Sequence, residues 1–240
     1  GVVFIYGNYA GDCLNFDRAQ DACREMGHKV ESVVMNDDVA SAPSSDALRR
    51  RGIGGMLWVY QIAGAKAESL ASLEEVVEIA HRANENTRTI GVGLSSCIVP
   101  ANGKATFALA DDEIEVGLGI HGEPGMKRQK VAPVDEIIDD MFAQLMADLD
   151  YRNQRVALSI NGLGGTPAEE LFVAYRKVKA LCDTHGITIA HKAVGEFVTA
   201  LEMAGASISI TRLDSEMEML LNTPVNTCMF KKLQRESSPI

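Results

Sequence analysis

The sequence has no run of Lys or Arg longer than the three arginines at 49–51, and its net charge is −10. Nucleic acid and anionic membrane surfaces are gripped through basic patches, so neither is expected as a partner. No apolar run approaches the ~20 residues that cross a bilayer. The opening Gly1-Val2-Val3-Phe4-Ile5-Tyr6 has no charged region before it and does not read as a signal peptide. The five cysteines, Cys13, Cys23, Cys97, Cys182 and Cys228, form no C-x-x-C pair. Scattered thiols of odd number read as reduced, which gives a cytoplasmic protein as the expectation. The same scatter offers no zinc site, and no metal is expected. No G-x-x-x-x-G-K-[ST] loop occurs; Asn102-Gly103-Lys104-Ala105 lacks both the preceding glycine and the hydroxyl, so no ATP site is recognisable.

What is present is ordinary globular composition: 240 residues, 46% hydrophobic and 23% charged. Residues 2–6 read as a strand, 13–26 as a helix closed by Gly27, and 29–35 as a second strand, a β-α-β unit typical of a parallel or mixed sheet. Residues 36–45 are polar and loop-like. Helices follow at 54–65 and 72–84, the second opening with the capping box Ser72-Leu73-Glu74-Glu75. Residues 84–87 mark a lobe boundary. Beyond it, strands are predicted at 90–94, 105–109, 114–120, 155–160, 188–191 and 207–212, with helices over 134–149 and 167–185. The expected organisation is residues 1–86 as the C-terminal portion of a first α/β lobe, 87–233 as a second, α+β lobe, and 234–240 as a polar tail.

Four stretches carry candidate chemistry. In GLGIHGEPG (117–125), one histidine, His121, stands among four glycines. Period-two alternation over 113–120 puts Ile114, Val116, Leu118 and Ile120 on one face and aligns His121 with Gly117 and Gly119 on the other, leaving the imidazole uncrowded. The alternative is a solvated hairpin end. The G-x-G-x-x-G match within it has the wrong context for a dinucleotide, because no helix opens directly after it. Asp12, after NYAG at a strand-to-helix turn, reads either as a carboxylate facing a ligand crevice or as a helix N-cap, which would lower its basicity. NGLGGTPAEE (161–170) reads as a structural turn with Thr166 as N-cap, Pro167 at N1 and Glu169 completing the box, or as a helix N-terminus for phosphate. The acid pairs Asp37-Asp38 and Asp111-Asp112 read as solvated loop residues, with a metal as the alternative.

Together NYAGD (8–12), NDDVA (36–40), GLGIHGEPG, NGLGGTP (161–167), LEMAGASISI (201–210) and TPVNT (223–227) resemble the substrate-binding K subunit, or K domain, of the dihydroxyacetone kinase family, in order and along the whole chain. The resemblance implies the α/β two-lobe K-domain fold, a parallel or mixed sheet lobe followed by an α+β lobe that carries the substrate histidine. It implies that His121 bonds to a ketone carbon as a hemiaminal, and that Asp12 serves the substrate hydroxyl as base or orienting group. Both residues would bind substrate. It implies a short-chain ketose substrate, a homodimer, and a separate L-type subunit holding ADP or ATP with Mg, this chain carrying no cofactor. The phosphoryl donor is either ATP or a phosphoenolpyruvate-dependent phosphocarrier. A non-catalytic ketose-binding regulatory protein is the alternative. Two departures from the family pattern stand out. Gly7 occupies the place of a substrate-contacting lysine before Asn-Tyr, which is expected to widen the site and favour a longer ketose such as erythrulose. The family's upstream Ser-Gly-His-Glu-Pro stretch is not in these residues, which reads as a chain lacking the family's N-terminal segment.

Overall fold

The computed structural model describes residues 1–120, 125–228 and 230–232. Strand β1 (Val2–Gly7) and strand β2 (Val30–Met35) pair in parallel, Val2 against Val30 through Gly7 against Met35. Parallel neighbours need a crossover, and helix α1 (Ala10–Glu25) supplies it. It ends where Gly27 takes a left-handed φ of 83°. His28 N–H reaches the Cys23 carbonyl and Gly27 N–H the Arg24 carbonyl, closing a Schellman cap. Phe16 of α1 stacks on Tyr6 of β1 at 4.2 Å, which fixes the helix on the strand.

A 3-10 turn (Ser44–Arg49) leads to helices α2 (Met56–Glu68) and α3 (Leu73–Glu85). The capping box of α3 is present as the sequence predicts: Glu75 N–H donates to Ser72 Oγ at 3.2 Å and Ser72 N–H to Glu75 Oε2 at 2.7 Å. Strand β3 (Thr87–Gly93) follows α3 after a single residue. Then come β4 (Ile98–Val99), β5 (Lys104–Ala105), β6 (Glu113–Val116), β7 (Lys127–Lys130), α4 (Val134–Asp148), β8 (Arg155–Gly162), α5 (Ala168–Thr184), β9 (Thr188–Gly195), β10 (Gly205–Arg212), α6 (Ser215–Leu221), β11 (Val225–Asn226) and β12 (Lys231–Lys232).

Six strands form one mixed sheet in the order β7-β6-β3-β10-β8-β9, antiparallel except for β8 with β9. This is an α/β protein with a mixed sheet, as expected. Along β10, Ile208 and Ile210 alternate with Ser207, Ser209 and Thr211, and period two sends the two sets to opposite faces. The isoleucines join Ile90, Leu158 and Ile160 in a core packed with α4 and α5. The other face is polar yet buried, and two pairs of its hydroxyls bond across strands: Thr87 with Thr211 and Thr89 with Ser209, both at 2.8 Å. A second core joins Val33 and Met35 to Trp58, Ile62, Ile79 and Ala83. It also takes in Ala157, Leu213 and Met217 from beyond residue 87.

Two predicted strands are much shorter than the sequence suggests. Of the 105–109 stretch only Ala105 pairs, with Ile98, in a two-residue strand that starts at Lys104. The 114–120 strand stops at Val116, because Gly117 turns to a φ of 77° and leaves the ladder. The helix after NGLGG begins at Ala168 with Pro167 as N-cap, so the Thr166–Glu169 box is not formed. Thr166 Oγ1 instead accepts from Gly205 N–H and donates to Gly205 O, each at 2.7 Å.

The two halves are tied by a buried ion pair. Arg50, 1% exposed, grips Asp148 at the end of α4 with both guanidinium nitrogens, and Arg88 of β3 shares the same carboxylate. Burial pushes the Asp148 carboxyl up, but the bonds from Arg50 and Arg88 outweigh it and hold it below the usual carboxylate range. Removing one partner of such a pair strands a charge out of water. Asp148→Ala is expected to lower unfolding free energy by about 3–5 kcal/mol, read as a shift in urea midpoint at unchanged slope.

Candidate functional site

The segment 48–55, Leu-Arg-Arg-Arg-Gly-Ile-Gly-Gly, organises the site. Asn8, from the NYAGD stretch, donates through Nδ2 to the carbonyls of Leu48 (3.0 Å) and Arg50 (2.9 Å). Asn36 donates to Ala47 O at 3.1 Å. Asp37 and Asp38, read from sequence as solvated, are both fully buried. Asp37 accepts from Ile53 N–H at 3.0 Å and Gly55 N–H at 2.8 Å, capping α2 from a distance. Asp38 accepts from Ala40 N–H at 3.0 Å, and Arg51 clamps its other oxygen with Nε at 2.9 Å and Nη2 at 2.8 Å. These oxygens are committed to backbone and guanidinium. Among the described residues no group of three or more His, Cys, Asp or Glu is placed to hold a metal ion.

The same Arg51 Nη2 donates to the carbonyl of Gly117 at 2.8 Å. The glycine-rich stretch is thereby joined to NDDVA. Gly117 N–H also bonds Gly91 O, and a β-carbon at Gly117 would lie 2.5 Å from that of Ala40. At the other end, Gly125 N–H donates to Glu115 Oε1 at 2.9 Å, and a β-carbon there would meet Val116 O at 2.5 Å. Two of the four glycines therefore serve close backbone approach. The sequence argument that Gly117 clears space along a strand for the imidazole does not hold, since the strand ends before it. His121 itself lies outside the described residues. Leu118 is buried with Leu163 of NGLGG and with Ala200 and Met203, and Ile120 packs against them, so three of the sequence motifs share one small apolar cluster.

Asp12 sits in the first turn of α1, half-buried, where a negative charge suits the helix dipole. The N-cap is Tyr9, not Asp12, so the capping alternative is set aside. Tyr60 of α2 was missed from sequence, because an aromatic at helical spacing reads as core. It is 46% exposed and its hydroxyl donates to Ile5 O at 3.2 Å. Burial chiefly, with the charges of Asp12 and Asp37, pushes its phenol up. Gly7 does not leave open space: a β-carbon there would lie 2.9 Å from Gly52 O and 3.1 Å from the Tyr9 ring. The widening expected from this glycine is not found at its α-carbon. Two grooves of about 510 Å³ run along α2, one beside β1 and α3 and one beside β11; neither is lined by Asp12 or Gly117.

The NGLGG turn is held by hydrogen bonds to the segment that follows β9. Asn161 Oδ1 accepts from the N–H groups of Phe197 (2.8 Å) and Val198 (2.9 Å), and Gly165 N–H bonds Met203 O at 2.9 Å. Asp111 and Asp112 are exposed, as expected, with Asp112 paired to Lys130. No helix among the described residues is long and apolar enough to cross a membrane.

Burial pushes the Asp38 carboxyl up to about 6, against the pull of the Arg51 charge and the Ala40 N–H, with Asp37 adding to the rise. A carboxyl whose folded value exceeds its unfolded 3.8 takes up a proton on folding between the two values, so its contribution to stability falls as pH rises through that window. The stability of the wild type relative to Asp38→Asn is expected to be lower at pH 7 than at pH 4, read from urea melts of both proteins at each pH.

The Dak1 domain family matches residues 1–229. PTS-dependent dihydroxyacetone kinase 2, dihydroxyacetone-binding subunit DhaK, of Listeria innocua is 40% identical over 96% of this chain and 70% of its own length. L-erythrulose kinase of Pectobacterium atrosepticum is 37% identical over 97% of this chain but only 40% of its own length. Among solved structures, the dihydroxyacetone kinase operon co-activator DhaQ superposes with a TM-score of 0.86 at 30% identity, covering 92% of this chain and 69% of that one. A match over this length, with NYAGD, NDDVA and the glycine-rich stretch joined through one arginine-bearing segment, means that the chain belongs to the Dak1 domain family.

Proposed function

We propose that this chain is the ketose-binding part of a dihydroxyacetone-type kinase, capturing its substrate through His121. The observation that carries this reading is the fixed entry and exit of the GLGIHGEPG stretch, at Gly117 and Gly125, in a chain matched by the Dak1 family over residues 1–229. In the proposed reaction the lone pair of a neutral imidazole nitrogen attacks the ketone carbon. The carbonyl π pair moves to oxygen, the ring N–H proton is lost, and the new oxygen takes a proton. The hemiaminal therefore has the full mass of the sugar, with no water released. A polyol without a carbonyl cannot be held this way, which gives a selectivity that hydrogen bonds alone would match poorly. Asp12 orients the terminal hydroxyl and accepts its proton as that oxygen attacks phosphorus. The nucleotide, ATP or ADP with Mg, belongs to a partner L-type subunit, and two copies of this chain form the working dimer.

Erythrulose is the alternative substrate, supported by the likeness to L-erythrulose kinase. Turnover of dihydroxyacetone equal to or better than that of erythrulose would sink this. A second reading, a regulatory ketose-binding protein, is favoured by the likeness to the co-activator DhaQ. Sugar capture without phosphorylation in the presence of a matching L-type subunit would select it.

Intact-mass spectrometry after rapid desalting is expected to show an adduct of one whole sugar on the wild type and none on His121→Ala. Asp12→Asn is expected to keep the adduct while turnover with the partner subunit drops by about 10²–10⁴-fold, the usual contribution of a positioned acid or base. Loss of adduct in Asp12→Asn would move that residue from proton transfer to binding.

A further inference from the structure

The arginine triplet at 49–51 belongs to no motif of the sequence, and the reaction above gives it no part. The three side chains have separate fates: Arg49 is exposed and pairs with Asp46, Arg50 is buried on Asp148, and Arg51 is held on Asp38. Arg51 alone reaches toward the glycine-rich stretch. Its side chain is 14% exposed and its partner's is fully buried. Nε and Nη2 engage one carboxylate oxygen, and Nη2 also donates to Gly117 O. The guanidinium plane is therefore set by Asp38 before it meets the carbonyl.

A matching contact holds the far side. Glu115, 6% exposed, accepts from Gly125 N–H on one oxygen and from Arg128 Nε and Nη2 on the other, at 3.2 and 3.0 Å. Both bonds to backbone are charge-assisted, and both are directed by a second charged partner. A bond of this kind is shorter and stronger than a neutral one. Gly117 and Gly125 also have α-carbons too crowded for a side chain. Backbone position is thus dictated at the two ends of a nine-residue stretch whose middle bears His121.

We infer that Arg51 is a positioning residue: oriented by Asp38, it fixes the carbonyl of Gly117 and so sets where the His121 segment leaves the sheet, with Glu115 doing the same at Gly125. That this anchoring serves covalent capture rests on the proposed function; the anchoring itself does not. The mechanical reason is general. A nucleophile must meet its carbonyl carbon within a narrow range of distance and angle, and small misplacement costs rate steeply. Arg51 touches no reacting atom in this scheme and acts only through the backbone.

The test uses the whole chain and two readouts. Arg51→Gln leaves Asp38 buried without its cation and risks misfolding, so Arg51→Gln/Asp38→Asn, which removes both charges of the pair, is made beside it, with Arg51→Lys as the conservative variant. Amide hydrogen exchange is followed in peptides covering 117–126 and, as reference, 155–162. Loss of one charge-assisted bond is expected to raise exchange in the first peptide by about 10- to 100-fold with the reference unchanged, and Arg51→Lys to restore part of the protection. The rate of sugar adduct formation is expected to fall by at least about tenfold in the double variant, since near-attack geometry is lost. Unchanged exchange at 117–126 in the double variant overturns the inference, whether or not sugar is captured. Exchange rising equally in both peptides also overturns it, since that marks a global stability role. A wild type that captures no sugar sinks the capture reading alone, and the exchange arm still decides what Arg51 holds.

Discussion

A buried carboxylate next to a second one is tolerable only if something offsets its charge, and in this protein that is Arg51 on Asp38. Among the described residues the adjacent Asp37 has no cation in contact, and it is satisfied by the N–H groups of Ile53 and Gly55. Burial holds the carboxyls of both above their usual range. The consequence is geometric. Two acids in succession fix the chain from residue 51 to 55, one through a side chain and one through the backbone. Everything that touches that segment inherits its position: the NYAGD turn through Asn8, helix α2 through its capped start, and the glycine-rich stretch through Gly117.

The large sheet makes this possible by having two unlike buried faces. One is apolar and takes α4 and α5. The other carries small hydroxyls, several of them paired across strands, and a backbone lies against it at close range. Gly54 lies against it so tightly that a β-carbon would sit 2.6 Å from Ser209 Oγ, and one at Gly55 would sit 2.7 Å from Asp37 Oδ2. The loop that carries Arg51 is thus pressed between a carboxylate and a hydroxyl layer. The small cluster of Leu118, Leu163, Ala200 and Met203 closes the arrangement from the second half of the chain.

Much of this was legible beforehand. The β-α-β opening, the capped α3 and the long helices α4 and α5 all carry local signals: a Gly stop, a Ser-x-x-Glu box, apolar residues at helical spacing. The strand predicted over 114–120 was overrun for a local reason. Alternation in GLGI continues past Val116, but a left-handed Gly117 breaks the ladder, and periodicity has no view of φ. The Thr166 box failed differently: its hydroxyl found a stronger use, two bonds to the backbone of Gly205, that lies 39 residues away. Asp37-Asp38 looked solvated because a pair of acids on a loop usually is.

The sequence by itself determined the family resemblance, the α/β class, the candidate residues Asp12 and His121, and the absence of any phosphate-loop motif, because these are matters of residue identity and short-range spacing. Only the tertiary structure decided which arginine is a surface charge, which ties the two halves and which holds the glycine-rich stretch. Three identical neighbours carry identical local information. Their difference comes from partners 3, 98 and 13 residues away, brought within reach by folding.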